Sequence, residues 1–122
     1  MKTITMTTGA QTFEIELYDN PSAKALRQAL PMDLSMSRWG GEYYGSISRR
    51  IPVHSEMTSW FKEGEVALWP DGNAFCIFFG PTPVSTDSRP KMASPGVPLG
   101  RIVRGSLEDL DAMGGSIRLT LT

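Results

Sequence analysis

The chain has 122 residues, the length of one ordinary domain, which excludes a two-domain enzyme and sets the expectation of a single domain over residues 1–122. Twelve basic against thirteen acidic side chains leave a formal charge of −1, without the positive footprint that gripping a phosphate backbone requires, so no nucleic-acid partner is expected. Hydrophobic residues at 40% and charged residues at 20% supply enough apolar surface to fold, while twelve glycines and nine prolines, about 17% of the chain against roughly 12% on average, cut it into short segments and disfavour a helical bundle.

Thr3–Thr7 and Thr12–Leu17 alternate apolar with polar residues around Thr8-Gly9-Ala10-Gln11, the pattern of a hairpin. A helix follows from Asn20 to Leu30. Asn20 offers its side-chain oxygen to the free amides of the first turn, Pro21 sits where its missing N–H costs nothing, and Ala23, Leu26 and Leu30 share one face. Pro31 ends the pattern, and the narrow apolar stripe suits a lid on the end of a sheet structure. Met32, Leu34 and Met36 alternate with Asp33, Ser35 and Ser37 in a third strand, and Tyr43–Ser48 resumes the β register after Gly40-Gly41. Residues 49–62 have no clean period and read as a connection that returns Val53, Trp60 and Phe61 toward the core. Glu65–Trp69, the reversal Pro70-Asp71-Gly72-Asn73 and Ala74–Phe79 form a second strand–turn–strand unit, and the unbroken apolar run Phe75–Phe79 reads as a strand covered on both sides. Residues 80–98 hold five prolines, which cannot donate to a ladder, and read as a loop. Leu99–Arg104 is a strand, Ser106 caps a short helical turn through Leu107, Leu110 and Met113, and Ser116–Leu121 is a last alternating strand. Eight short strands with a closing C-terminal one favour a barrel, since closure removes exposed edges.

The single cysteine, Cys76, excludes an internal disulfide and a multi-cysteine zinc site, and its place inside Phe75–Phe79 makes it core filler. The N-terminus has no signal-like apolar stretch and no window approaches the roughly 20 apolar residues of a membrane span, so a cytoplasmic protein is expected, with no membrane partner.

Three segments resemble cyclophilins, in the same order along the chain. Trp39-Gly40-Gly41-Glu42-Tyr43 is similar to that family's Gln-Gly-Gly-Asp-Phe, Gly72–Ile77 to its Gly-Ser-Gln-Phe-Phe-Ile strand, and Pro98–Met113 to its Phe-Gly-Lys-Val-Val strand with the short helix after it. Together with Tyr18-Asp19-Asn20-Pro21 and Gly80-Pro81-Thr82-Pro83, the chain looks more closely like the small bacterial and archaeal cyclophilin-like proteins, a group without an assigned role. The resemblance implies an all-β fold: a closed eight-stranded, mostly antiparallel barrel of cyclophilin type with one helix and one short helical turn.

Cyclophilins are peptidyl-prolyl cis–trans isomerases, which lower a barrier of about 18–20 kcal/mol with a guanidinium beside an apolar proline pocket. Carried over position by position, that machinery is not matched. Pro31 stands where the catalytic Arg would be, Trp39 and Ala74 replace the two pocket Gln residues, Cys76 replaces the ring-contacting Phe, and the family's His falls near Gly96. Phe75, a core position, survives. No catalytic residue is assigned on this basis.

Other constellations read as ordinary surface. His54 with Ser55 or Cys76 offers a nucleophile and base on paper and is read as a plain loop histidine; no metal site or cofactor is expected. Glu63 and Glu65 share a face of an extended segment and read as a solvated edge; Gly40-Gly41 lacks the following Lys-Ser/Thr of a phosphate loop and reads as a bulge or tight bend. Arg49-Arg50 reads as an exposed basic pair, and residues 80–98 as either a lid over the barrel's side or mobile filler. Large amphipathic side chains concentrate instead around Arg38, Trp39, Glu42 and Tyr44, with Trp69 and Phe75 nearby, and either line a cleft or pack into the core. The expected function is a non-catalytic domain that binds a peptide or small-molecule ligand between Trp39–Tyr44, Trp69–Phe75 and the proline-rich segment, with Arg38, Trp39, Glu42, Tyr44, Trp69, Phe75 and Arg101 as candidate binding residues. The alternative is a weak, divergent prolyl isomerase in which Arg38 or Arg101 supplies the guanidinium.

Overall fold

The computed structural model describes residues 2–53 and 56–122. His54 and Ser55 lie outside the described residues, and the reading of His54 with them. The strands are β1 (Lys2–Thr8), β2 (Gln11–Leu17), β3 (Met32–Trp39), β4 (Glu42–Ser46), β5 (Thr58–Trp60), β6 (Glu65–Trp69), β7 (Ala74–Phe78), β8 (Lys91–Arg104) and β9 (Ser116–Leu121). Among the described residues the helices are α1 (Pro21–Gln28) and the short α2 (Leu107–Asp111), with a 3-10 turn at Pro70–Gly72.

The order β2-β1-β9-β3-β4-β7-β6-β8, closed by pairing of β2 with β8, makes the eight-stranded barrel. Every pairing in it is antiparallel. Inward positions alternate as the sequence pattern requires: Ile4 and Met6, Phe13 and Ile15, Leu34 and Met36, Val66 and Leu68, Phe75 and Ile77, Leu119 and Leu121 share one core. The two helices sit at opposite ends of β3 and close the barrel there. Leu26 of α1 and Leu110 of α2 both join the core and are fully buried. Asn20 caps α1, its Oδ1 accepting from the Ala23 N–H at 2.8 Å while its Nδ2 donates to Pro98 O at 2.9 Å. Ser106 caps α2 by accepting from the Glu108 N–H.

β7 is buried on both faces, as its apolar run predicts. Phe75 and Ile77 point into the barrel. Ala74, Cys76 and Phe78 belong to a second, smaller core outside it with Phe61, Ala67 and Met92. Phe61 stacks on Phe78 with ring centroids 4.7 Å apart.

That outer core exists because two segments differ from the sequence expectation. The 80–98 segment is not a loop throughout: β8 begins at Lys91 and runs through Pro95 and Pro98. The ladder tolerates these prolines because β8 bends there, Lys91–Gly96 pairing with β5, Val97–Arg101 with β6 across a register shift, and Gly100–Arg104 with β2. Residues 80–90 are an ordered connection in which Ser85 Oγ donates to Arg89 O and accepts from the Thr82 N–H. Likewise, the 49–62 connection contains the short β5, which brings Phe61 against the barrel wall; Val53 is exposed rather than returned to the core.

Candidate functional site

The β3–β4 hairpin turns on Gly40-Gly41, a tight bend rather than a phosphate loop. Gly40 has φ +60°, and a Cβ on Gly41 would fall 2.2 Å from the backbone carbon of Gly80. This close approach locks the hairpin to the segment after β7, with Gly41 N–H donating to Pro81 O and Phe79 N–H to Gly41 O. Beside the turn, on the outer face of the barrel, Trp39 pairs with Glu42. Further along the same face, Tyr44 on β4 and Ala67 on β6 flank Cys76 on β7, and Trp69 flanks Ala74. The central strand thus presents small side chains between aromatic ones on its neighbours. A cavity of about 260 Å³ results, lined by Trp39, Glu42, Tyr44, Trp69, Met92 and Ala93.

Trp69 is held by a polar chain, its indole Nε1–H donating to Ser94 Oγ at 2.7 Å and the Ser94 hydroxyl donating to Asp71 Oδ2 at 2.6 Å. Met92 folds back over the second core because Gly96 leaves room for it: a Cβ at Gly96 would lie 2.4 Å from Met92 Sδ.

Glu42 is the unusual member. The residue is 3% exposed, and its Oε1 has no hydrogen-bond partner among the described residues. Burial pushes its pKa up to about 7, offset only in part by the neighbouring Cys76 thiol. Burial, and then Glu42 itself, push the Cys76 thiol well above its usual range, so that it stays a protonated, inert group, as its core position implies.

Four of the seven sequence-derived candidates, Trp39, Glu42, Tyr44 and Trp69, therefore share one cavity. The other three lie elsewhere. Phe75 faces inward into the barrel core, by the same alternation that sends Ala74 and Cys76 outward. Arg38, one residue from Trp39, falls on the opposite face of β3, its guanidinium 4.8 Å from the Phe79 ring centre, donating to Asp111 Oδ1 at 2.6 Å and to the backbone oxygens of Gly40 and Asp111. Arg101 sits eight residues further along β8 than Ala93, beyond its bend, beside Glu16 of β2. Arg89 lies over the Trp60 ring and pairs with Asp87. Among the described residues no arginine lines the cavity.

Met92 and Ala93 are the lining residues that sequence reasoning missed, because the surrounding prolines masked their strand. Glu65, read with Glu63 as a solvated edge, is half-buried and hydrogen-bonded. It accepts from the Tyr18 hydroxyl at 2.8 Å and from the Lys62 N–H at 2.7 Å, while burial and this bond push Tyr18 up to about 12. Among the described residues there is no cluster of three metal-ligating side chains and no helix long and apolar enough to cross a membrane.

No curated protein matches the chain. Among solved structures it is similar to the solution structure of a hypothetical protein from Archaeoglobus fulgidus, with 28% identity and a TM-score of 0.81 over 98% of this chain and 92% of that one. The family model described as cyclophilin-like matches residues 2–121. With the closed barrel and the Trp39-Gly40-Gly41-Glu42-Tyr43 hairpin in place, the conclusion is that this chain belongs to the cyclophilin-like family.

Proposed function

We propose that the protein is a non-catalytic cyclophilin-like binding domain that takes a small ligand, or one side chain of a peptide, into the outer-face cavity. The observation that carries this reading is the preformed hollow itself: Trp39, Tyr44 and Trp69 stand round small residues of β7, with Trp69 already fixed through Ser94 and Asp71. Rigid aromatic walls give contact area at low entropic cost, and a concave, apolar site with a few polar groups is the usual form of a ligand pocket. Isomerase chemistry would need a guanidinium at this cavity. Arg38 and Arg101, the residues that would supply one, lie away from it, beside Asp111 and Glu16.

Two measurements test the reading. A protease-coupled prolyl isomerisation assay beside a true cyclophilin is expected to give a flat trace. A rate above background that drops in Arg38→Ala or Arg101→Ala would overturn the non-catalytic assignment. Titration with a panel of small amines, alcohols and dipeptides, followed by ¹H–¹⁵N NMR, is expected to move the indole signals of Trp39 and Trp69 with the amides of Met92 and Ala93. A panel that moves none of them would sink the binding reading.

A further inference from the structure

The carboxyl of Glu42 lies at a cavity whose walls are otherwise aromatic and aliphatic. The carboxyl has the Cys76 thiol, a weak donor, beside it, but its Oε1 is shut away from solvent without a hydrogen-bond partner among the described residues, and a buried acceptor left unpaired costs about 1–3 kcal/mol. A ligand that supplies an N–H removes that cost. The walls narrow the ligand's chemistry further. Trp, Tyr and Trp faces carry negative quadrupole density and attract a cation set against them, most strongly where water is excluded. The Trp69 indole is the best placed of the three, because its N–H end leads through Ser94 to the Asp71 carboxylate, which polarises the ring toward higher density on its face. At about 260 Å³ the cavity falls just below the roughly 300–1,000 Å³ of pockets that hold whole drug-sized molecules, so it takes a head group rather than an extended peptide. Arg89 and Lys91 both rest on the Trp60 ring, which does not line the cavity.

Resting on the binding reading above, we infer that the occupant is an alkylammonium group, with at least one N–H directed to Glu42 Oε1 and its carbon substituents against Trp39, Tyr44 and Trp69. The group can belong to a free amine or to a lysine side chain of a peptide; the chemistry that recognises it is the same. Burial of Glu42 then has a use: a carboxyl that burial holds up to about 7 gives up its proton more readily once a cation stands beside it.

The test is a titration at pH 8, read by the indole ¹H–¹⁵N signals of Trp39 and Trp69, with three probes: n-butylammonium chloride, its neutral isostere n-butanol, and N-acetyl-lysine methylamide. The ammonium is expected to bind at least tenfold more tightly than the alcohol. Glu42→Gln, which keeps shape and removes charge, is expected to weaken the ammonium at least tenfold and leave the alcohol unchanged. Trp39→Leu keeps an apolar wall and removes a ring, and is expected to weaken the ammonium several-fold more than the alcohol. The lysine derivative binding as tightly as butylammonium supports a peptide source; markedly weaker binding supports a free amine. If n-butanol binds as well as the ammonium, or Glu42→Gln binds the ammonium as tightly as the parent, the alkylammonium assignment is overturned while the cavity stands as a binding site. If none of the probes moves either indole, both readings fall.

Discussion

Glu42 makes a thermodynamic demand that follows from where β4 puts it. In the unfolded chain the carboxyl has its ordinary value of 4.5, and in the folded barrel burial holds it at about 7. The folded state therefore keeps the proton more tightly than the unfolded one. Its contribution to stability is highest below about 4.5, is lost as the pH rises toward about 7, and is constant above that. A gap of this size corresponds to about 3 kcal/mol. Glu42→Gln does not titrate, so the variant is expected to match the parent near pH 4 and to exceed it by about 3 kcal/mol at pH 8. Urea unfolding of both proteins at the two pH values measures this directly. A stability difference that stays the same at both pH values would show that Glu42 is not held protonated by the fold. The residue was visible in the sequence as part of an amphipathic cluster, but its burial was not. A carboxylate at an outward strand position normally reads as solvated, and only the aromatic neighbours from three strands change that.

Among the elements, the turn before β7 organises more of the chain than its own length. Asn73 follows the Pro70–Gly72 turn at φ 46°, a left-handed conformation that Asn tolerates better than most residues. From there its Nδ2 donates to the backbone oxygens of Ile47 and Arg49, at 3.1 and 2.8 Å, and its Oδ1 accepts from the Ile51 N–H at 3.2 Å. One side chain thus ties down the chain after β4 and seats Ile51 in the core. Asn73→Gly keeps the backbone freedom and removes the three bonds, so it is expected to cost about 2 kcal/mol. Asn73→Ala adds the steric cost of the left-handed conformation and is expected to lose about 1 kcal/mol more. Thermal or urea unfolding of the pair separates the two contributions, and an Asn73→Gly variant as stable as the parent would show that the three bonds contribute nothing. Elements of this kind were legible where local chemistry decides them: the Asn20 and Ser106 caps, the Gly40-Gly41 reversal and the two-faced β7 all follow from short-range pattern. The first half of β8 was not. Pro90, Pro95 and Pro98 argue locally against a strand, and what permits one is a long-range fact, the bend at which β8 passes from β5 to β6 and then to β2. Arg38 and Phe75 fall outside the cavity for a related reason. Nearness in sequence to Trp39 or Trp69 says nothing about face, and a shift of one residue in a strand reverses the side.

For the whole molecule, closure is the organising fact, and β9 is the strand that achieves it farthest along the chain. It lies between β1 and β3, pairing with β3 from Met32↔Leu121 to Ser37↔Ser116 and with β1 at Met6↔Leu121 and Thr7↔Thr120, while Thr5 and Thr122 exchange backbone bonds at 3.0 and 2.9 Å. Removing residues 116–122 would leave β1 and β3 as facing, unpaired edges, and would open the core on the side of Ile4, Met6, Leu34 and Met36. Leu119 and Leu121, both buried, contribute about 1.5–3 kcal/mol each by burial alone, before the lost ladder bonds and the newly wetted partners are counted. A domain of this size has only about 5–15 kcal/mol in total. The shortened chain is therefore expected to lose cooperative unfolding and the wide amide dispersion of a barrel, and to associate through its exposed edges. Adding a synthetic peptide of residues 116–122 in excess is expected to restore part of the dispersion, because the vacated slot has a neighbour on each side to receive it. A truncated chain that remained monomeric, dispersed and cooperative would mean that the barrel's stability does not depend on closure at β9, and that the remaining seven strands hold the outer-face cavity on their own.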